Sequence, residues 1–159
     1  MLGQLFQEED SKYMREATRH DKLQIKAMLI DFSEESQLAV TLGVENFGKD
    51  EYLDHLLDKI IVGHGIIYLA EDRGLIMGMF TPSVWCDKTL TLHELAWYVK
   101  PEFRGSTIGY RLFKAFISFG NRMKASGRIK HFVMGKMASS PAIKYDKFGF
   151  KKIDESWIQ

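Results

Sequence analysis

Apolar positions recur with two different periods along the chain, and the change of period marks its elements. Behind a polar lead-in over residues 1–12, Met14–Thr18 reads as a short strand. Asp21 then stands as an N-cap with Gln24 at the capping-box position, ahead of Ile25, Met28, Leu29 and Phe32 at helical spacing. A second helix is predicted from about Asp50, with Leu53, Leu56, Leu57 and Ile60 on one face, stopping near Gly63. The polar, glycine-containing stretch Ser33–Lys49 between them reads as a loop or a broken helix. Ile66–Ala70 and Leu75–Phe80 are short apolar runs joined by the turn residues Glu71–Gly74, the pattern of a β-hairpin. Thr89–Val99 is a longer strand, alternating through Leu95, Trp97 and Val99 and stopped by Pro101.

From Ser106 the helical period returns. Ile108, Leu112, Phe116, Phe119 and Met123 form a stripe that ends at Gly127, with Arg122, Lys124 and Arg128 near the negative helix terminus. Ile129–Met134 reads as a strand. Ser140-Pro141 has the form of an N-cap followed by proline at the first helical position, and Gly149 closes that short helix. Phe150–Trp157 is expected to be a final strand. The order β-α-α-β-β-β-α-β-α-β is an α/β arrangement with a mixed, largely antiparallel sheet.

Composition narrows the function more than the fold. No repeat, low-complexity tract or linker divides the 159 residues, which are read as one domain over 1–159. The formal net charge is +1, unlike the basic footprint of a nucleic-acid binder, so no nucleic-acid partner is expected. The start of the chain carries acids early and lacks the apolar core of a secretory signal. No stretch approaches the ~18 apolar residues that span a bilayer, so a cytoplasmic protein with no membrane partner is expected. Cys86 is the one cysteine, which excludes an intramolecular disulfide and reads as structural. His55 and His64 have no acidic or cysteine partners at metal spacing, so no metal is expected. The eight methionines read as core filler, and Trp85, Trp97 and Trp157 as core residues or the lining of a pocket.

The chemically informative stretch is Glu94–Tyr110, ELAWYVKPEFRGSTIGY. A strand runs into Pro101, crosses a loop with Arg104 and Gly105, and becomes helical over Ser106–Gly109. A helix start offers unpaired N–H groups and the positive end of the macrodipole, which together bind phosphates. Gly105 and Gly109 lack a Cβ and let a bulky anion approach the backbone. The same residues also read as an ordinary strand-loop-helix corner with a solvated arginine.

The run Val99-Lys-Pro-Glu-Phe-Arg-Gly-Ser-Thr-Ile-Gly-Tyr-Arg-Leu resembles the acetyl-CoA signature of the GNAT (Gcn5-related N-acetyltransferase) superfamily. A second block, Ser140-Pro-Ala-Ile-Lys-Tyr-Asp-Lys-Phe-Gly-Phe, resembles that family's later short helix, and one helix plus one strand fit between the two. The resemblance covers Ile66 to the C-terminus well and the first 60 residues only in element order. It implies a GNAT fold whose sheet splays after Val99 to admit acetyl-CoA, the co-substrate, with an amine of unidentified acceptor as the second substrate. By that likeness, the backbone of Trp97, Tyr98 and Val99 pairs with the pantetheine arm. The N–H groups of Arg104, Gly105, Ser106, Thr107, Ile108, Gly109 and Tyr110 cradle the pyrophosphate, and Tyr145 protonates the departing thiolate.

Glu94, at the start of the E-L-A-W-Y-V strand, resembles the carboxylate that takes the amine proton in one branch of the family. It reads equally as a sheet-surface ion-pair partner. His93 is a second candidate base, or a hydrogen-bonded histidine at a strand edge, and falls on the opposite strand face unless a bulge intervenes. Lys144, Lys147, Lys151 and Lys152 form a solvated face or meet the adenosine 3′-phosphate. Two departures from the family pattern stand out: Thr107 replaces a usual glycine, and Ala138–Ser140 occupy the place of a frequent asparagine. They motivate the alternative of a weak or inactive GNAT-like module acting by CoA or protein binding. The Ile- and Trp-containing C-terminal strand offers an edge for a homodimer.

Overall fold

A computed structural model describes residues 14–44, 49 and 51–159 of the chain. The lead-in and the expected helix start at Asp50 lie outside the described residues. Strand β1 (Arg15–Glu16) is followed by a single turn at Arg19–Asp21, then helices α1 (Lys22–Glu35), α2 (Leu38–Thr41) and α3 (Glu51–Lys59). Strands β2 (Gly65–Leu69), β3 (Gly74–Ser83) and β4 (Cys86–Val99) come next, then helix α4 (Ile108–Ala125) and strand β5 (His131–Val133). The spatial order is β1-β2-β3-β4-β5, antiparallel from β1 to β4, with β5 parallel to β4. That last pair is parallel because α4 carries the chain back across the sheet. The mixed, mostly antiparallel sheet flanked by helices is the architecture expected from the sequence.

Each face of the sheet has its own core. On one side Ile25, Met28 and Leu29 of α1 and Leu53 and Leu57 of α3 pack on Ile67, Leu69, Leu75, Met77, Ala96 and Tyr98. On the other, Leu112, Phe116 and Phe119 of α4 pack on Ile66, Ile76 and Leu92. The helical stripe read from the sequence is therefore the buried face of α4. Of the Ser33–Lys49 stretch, the described part through Val44 is the broken helix of the two readings: α1 runs to Glu35, and Gln37 at φ 55° breaks it from α2.

The start of α1 differs from expectation. Thr18, not Asp21, is the cap: its hydroxyl accepts from the amide of His20, while Asp21 sits at N3 and accepts from the Thr18 amide at 2.7 Å. Asp21 makes no capping bond to α1. Its carboxylate is instead buried, gripped by both Arg15 Nη atoms at 2.8 Å and by Gln24 at 2.8 Å.

The C-terminal elements also differ. No α-helix follows Ser140-Pro141; a single tight turn spans Tyr145–Phe148, and residues 150–159 form no strand. Phe150 still docks, its ring 5.5 Å from Phe132 and 5.8 Å from Tyr145. Beyond it Ile153, Trp157 and Ile158 are 74%, 89% and 62% exposed. The reason lies in the neighbour: β5 is only three residues long, too short a template for a strand of the predicted length. The expected order thus holds through β5 and lacks its last helix and strand.

Candidate functional site

Strand β4 changes parity in the middle. Against β3, Ala96 pairs with Met77 but Glu94 pairs with Gly78, leaving Leu95 as the extra residue of a β-bulge. Before the bulge Leu92 faces α4; after it Trp97 and Val99 do, while Ala96 and Tyr98 face α1. On the other edge, β5 pairs only Thr91, Leu92 and His93 with His131, Phe132 and Val133. From Glu94 to Val99 the edge of β4 has no strand partner on the β5 side among the described residues. The sheet parts at Glu94, earlier along β4 than the expected splay after Val99, because the bulge re-aims β4 just where the short β5 ends.

Glu94 stands at this fork. The amide of Gly135, two residues beyond β5, donates to Glu94 Oε2 at 3.0 Å. Burial of the carboxyl outweighs that bond and pushes its pKa up to about 7. The Tyr145 hydroxyl makes a long contact, 3.5 Å, to the carbonyl oxygen of the same Gly135. Burial, and secondarily the charge of Glu94, push the Tyr145 pKa up, so the phenol is protonated at neutral pH. The ring is held edge-on to Phe113 at 6.0 Å and to Phe150 at 5.8 Å, and Phe113 stacks on Trp97 at 5.1 Å. Glu94 and Tyr145, 51 positions apart in sequence, are thus bridged by one residue. That bridge was not foreseen; the only signal was a lone glycine just after the Ile129–Met134 run.

His93 is not part of this group. Strand alternation places it on the face opposite Glu94. Its pKa is lowered by partial burial and by His131, with Asp154 pulling the other way. His131 itself is 2.9 Å from the Thr91 hydroxyl.

The strand-loop-helix corner follows from Pro101–Phe103, a tight turn, to Gly105, whose φ of +82° is left-handed and favours glycine. A Cβ on Gly105 would meet nothing within 4 Å, so conformation rather than space requires glycine there. Ser106 steadies the helix start: its hydroxyl donates to Phe103 O at 2.6 Å and accepts from the Ile108 amide at 3.3 Å. The Arg104 amide is bound to Pro101 O at 3.2 Å. Arg104 and Ile108 therefore drop out of the expected row of open donors. The amides of Gly105, Ser106, Thr107, Gly109 and Tyr110 have no backbone acceptor among the described residues. Thr107 stands just before α4, and its side chain makes no capping bond. Row and helix terminus together suit a phosphate group.

The corner is clamped from both sides. Lys100 Nζ reaches Asp72 at 2.7 Å, and the Arg73 guanidinium lies 5.2 Å from the Phe103 ring centre, which ties it to the β2–β3 turn. On the other side Arg104 grips Glu35 of α1 with two 2.6 Å bonds. Among the described residues no cluster of acidic, histidine or cysteine side chains is placed to hold a metal, and no helix is long and apolar enough to cross a membrane.

No family model and no curated protein matches the chain. Solved structures do. A predicted acetyltransferase from Clostridium acetobutylicum, solved with acetyl-CoA, aligns over 92% of this chain and 93% of its own at a TM-score of 0.66 and 16% identity. A GCN5-related N-acetyltransferase from Ralstonia eutropha aligns over 92% and 96% at 0.62 and 18% identity. Glucosamine-6-phosphate N-acetyltransferase from Arabidopsis thaliana aligns over 92% and 95% at 0.61 and 16% identity. With a bulged β4, a parted β4–β5 edge and these likenesses along nearly its whole length, the chain has the fold of the GNAT superfamily.

Proposed function

We propose that the protein is an N-acetyltransferase that moves the acetyl group of acetyl-CoA to an acceptor amine by direct attack. The observation that carries this reading is the fork itself: a strand edge left open from Glu94 onward, with a carboxyl of pKa about 7 at its apex and a phenol beside it. Acetyl-CoA supplies the acyl group activated as a thioester. The backbone edge at Trp97, Tyr98 and Val99, left without a β5 partner and met only at the Val99 carbonyl by Arg104, suits the amides of a pantetheine arm, bound as an added strand. The unpaired amides of Gly105, Ser106, Thr107, Gly109 and Tyr110 suit its pyrophosphate.

Glu94 takes the proton that the amine loses as its nitrogen bonds to the acyl carbon, directly or through water. A base with a pKa near the working pH is both available and strong enough to do so. Tyr145 gives its hydroxyl proton to the sulfur as the carbon–sulfur bond breaks. Both groups end one proton from their starting state and return through solvent. His93, on the far face, has no part in these transfers.

Calorimetric titration with acetyl-CoA, followed by assay of thiol release against a panel of amines, tests the reading. Micromolar binding and amine-dependent thiol release are expected, and Tyr145→Phe should lower turnover while leaving acetyl-CoA affinity nearly intact. Binding without thiol release would make the chain a CoA-binding module. No binding would remove acetyl-CoA from the reading altogether.

A further inference from the structure

Arg104 belongs to the stretch that resembles an acetyl-CoA signature, yet its side chain is held by Val99, Tyr98 and Glu35. Its Nε donates to the Val99 carbonyl at 2.9 Å, its two Nη atoms meet the two oxygens of Glu35 at 2.6 Å, and its guanidinium lies 5.6 Å from the Tyr98 ring centre. Every donor direction of the fork except its outer N–H groups is therefore committed to protein. Glu35 is the last residue of α1, whose other ties include its buried face on the sheet and the ion pairs of Lys22 and Lys26 with Asp54 and Asp58 of α3, near its start. The ion pair joins this helix end to the corner across 69 positions of sequence, beside the edge-on contact of Phe32 with Tyr98.

We propose that Glu35 is a positioning residue for the phosphate-binding corner. By holding Arg104 against Val99 and Tyr98 it fixes the backbone entering the left-handed Gly105, and so aims the open amides of Gly105, Ser106, Thr107, Gly109 and Tyr110 outward before any ligand arrives. A fixed fork is preorganised and loses little freedom when the ligand binds. This inference rests on the acetyl-CoA reading above and adds to it a residue outside the strand-loop-helix stretch. The pair is half-exposed, so its contribution to global stability is small, and its effect should appear in ligand binding instead.

The test compares acetyl-CoA with S-acetylpantetheine, which shares the arm and the thioester but lacks the pyrophosphate. Affinities of the full chain and of its Glu35→Gln and Arg104→Lys variants are measured by calorimetry for the first ligand and by NMR shift titration for the second. The expected result is a 5- to 20-fold loss of acetyl-CoA affinity in each variant, with S-acetylpantetheine affinity unchanged. The double variant should be no worse than either single one. Unchanged or tighter acetyl-CoA binding in Glu35→Gln would overturn the proposal, the tighter case showing that Glu35 withholds Arg104 from the phosphates. An equal loss for both ligands would also overturn it, because it would mark a general distortion. If the unsubstituted chain bound neither ligand, the acetyl-CoA reading would fail and take this inference with it.

Discussion

At the scale of single residues, Glu94 has the most to reveal. Its carboxyl has a pKa of about 7 because burial disfavours the charge more than the Gly135 amide favours it. Folding therefore prefers the protonated form. The penalty is absent below the ordinary carboxylate value of about 4.5, grows as pH rises toward 7, and is fully present above it. Glu94→Gln keeps an acceptor oxygen for the Gly135 amide and removes the charge. Thermal unfolding should show the variant more stable at pH 8, by on the order of 2 kcal/mol, and no different near pH 4. Acetyl transfer by the wild type should rise with pH through about 7, and the variant should lose that limb together with most of its turnover. A turnover that kept its limb in Glu94→Gln would assign the base elsewhere. Glu94 and Tyr145 were candidates through the family resemblance of the stretches that carry them. Their bridging through Gly135 was not legible, since a backbone contact leaves no mark on side-chain pattern.

At the scale of elements, the periodic stretches were the readable ones. The stripe of α4, the face of α1 and the β2–β3 hairpin follow from spacing because each buries a continuous apolar surface. The N-terminal turn shows how a local reading goes astray. Asp21 fits an N-cap by type, but Arg15 of β1 draws its carboxylate into a half-buried ion pair, and Thr18 takes the capping role. Asp21, 5% exposed, accepts from Arg15, Thr18 and Gln24, which together hold its pKa well below the usual carboxylate range. Asp21→Asn should destabilise the fold by about 2–4 kcal/mol in denaturant titration at pH 7. A group with a depressed pKa stabilises above its unfolded value, so the difference should persist to about pH 4 and shrink only in stronger acid. A loss below about 0.5 kcal/mol would mean that the bonds around Asp21 do no more than replace water.

At the scale of the whole molecule, one aromatic cluster joins the sheet, α4 and the C-terminal turn. Phe113, 1% exposed, stacks on Trp97 and meets Phe148 at 5.0 Å, Tyr145 at 6.0 Å and Phe150 at 6.2 Å. Through it the open edge of β4 and the Tyr145 turn are parts of one packed body. A ligand seated in the fork should therefore stabilise the fold as a whole. Acetyl-CoA at a hundredfold over its dissociation constant should add about 2.7 kcal/mol and raise the unfolding temperature by roughly 5–10 °C. No shift with acetyl-CoA present would place its site outside the folded body.

The sequence alone determined what depends on local repetition: the helices and strands with a periodic apolar face, which faces are apolar, and that a glycine-bearing corner precedes a helix. Those properties are set by neighbours within a turn or two of each residue, so spacing records them. Tertiary structure decided the rest. Leu95 bulges because β3 and β4 meet out of step, Glu94 stands at the fork because β5 stops at Val133, and Arg104 turns to Glu35 because α1 ends beside it. The final strand is lost for the same kind of reason, since a strand exists only where another strand is long enough to pair with it. Each of these depends on a partner far away along the chain, and no local pattern encodes where that partner comes to rest.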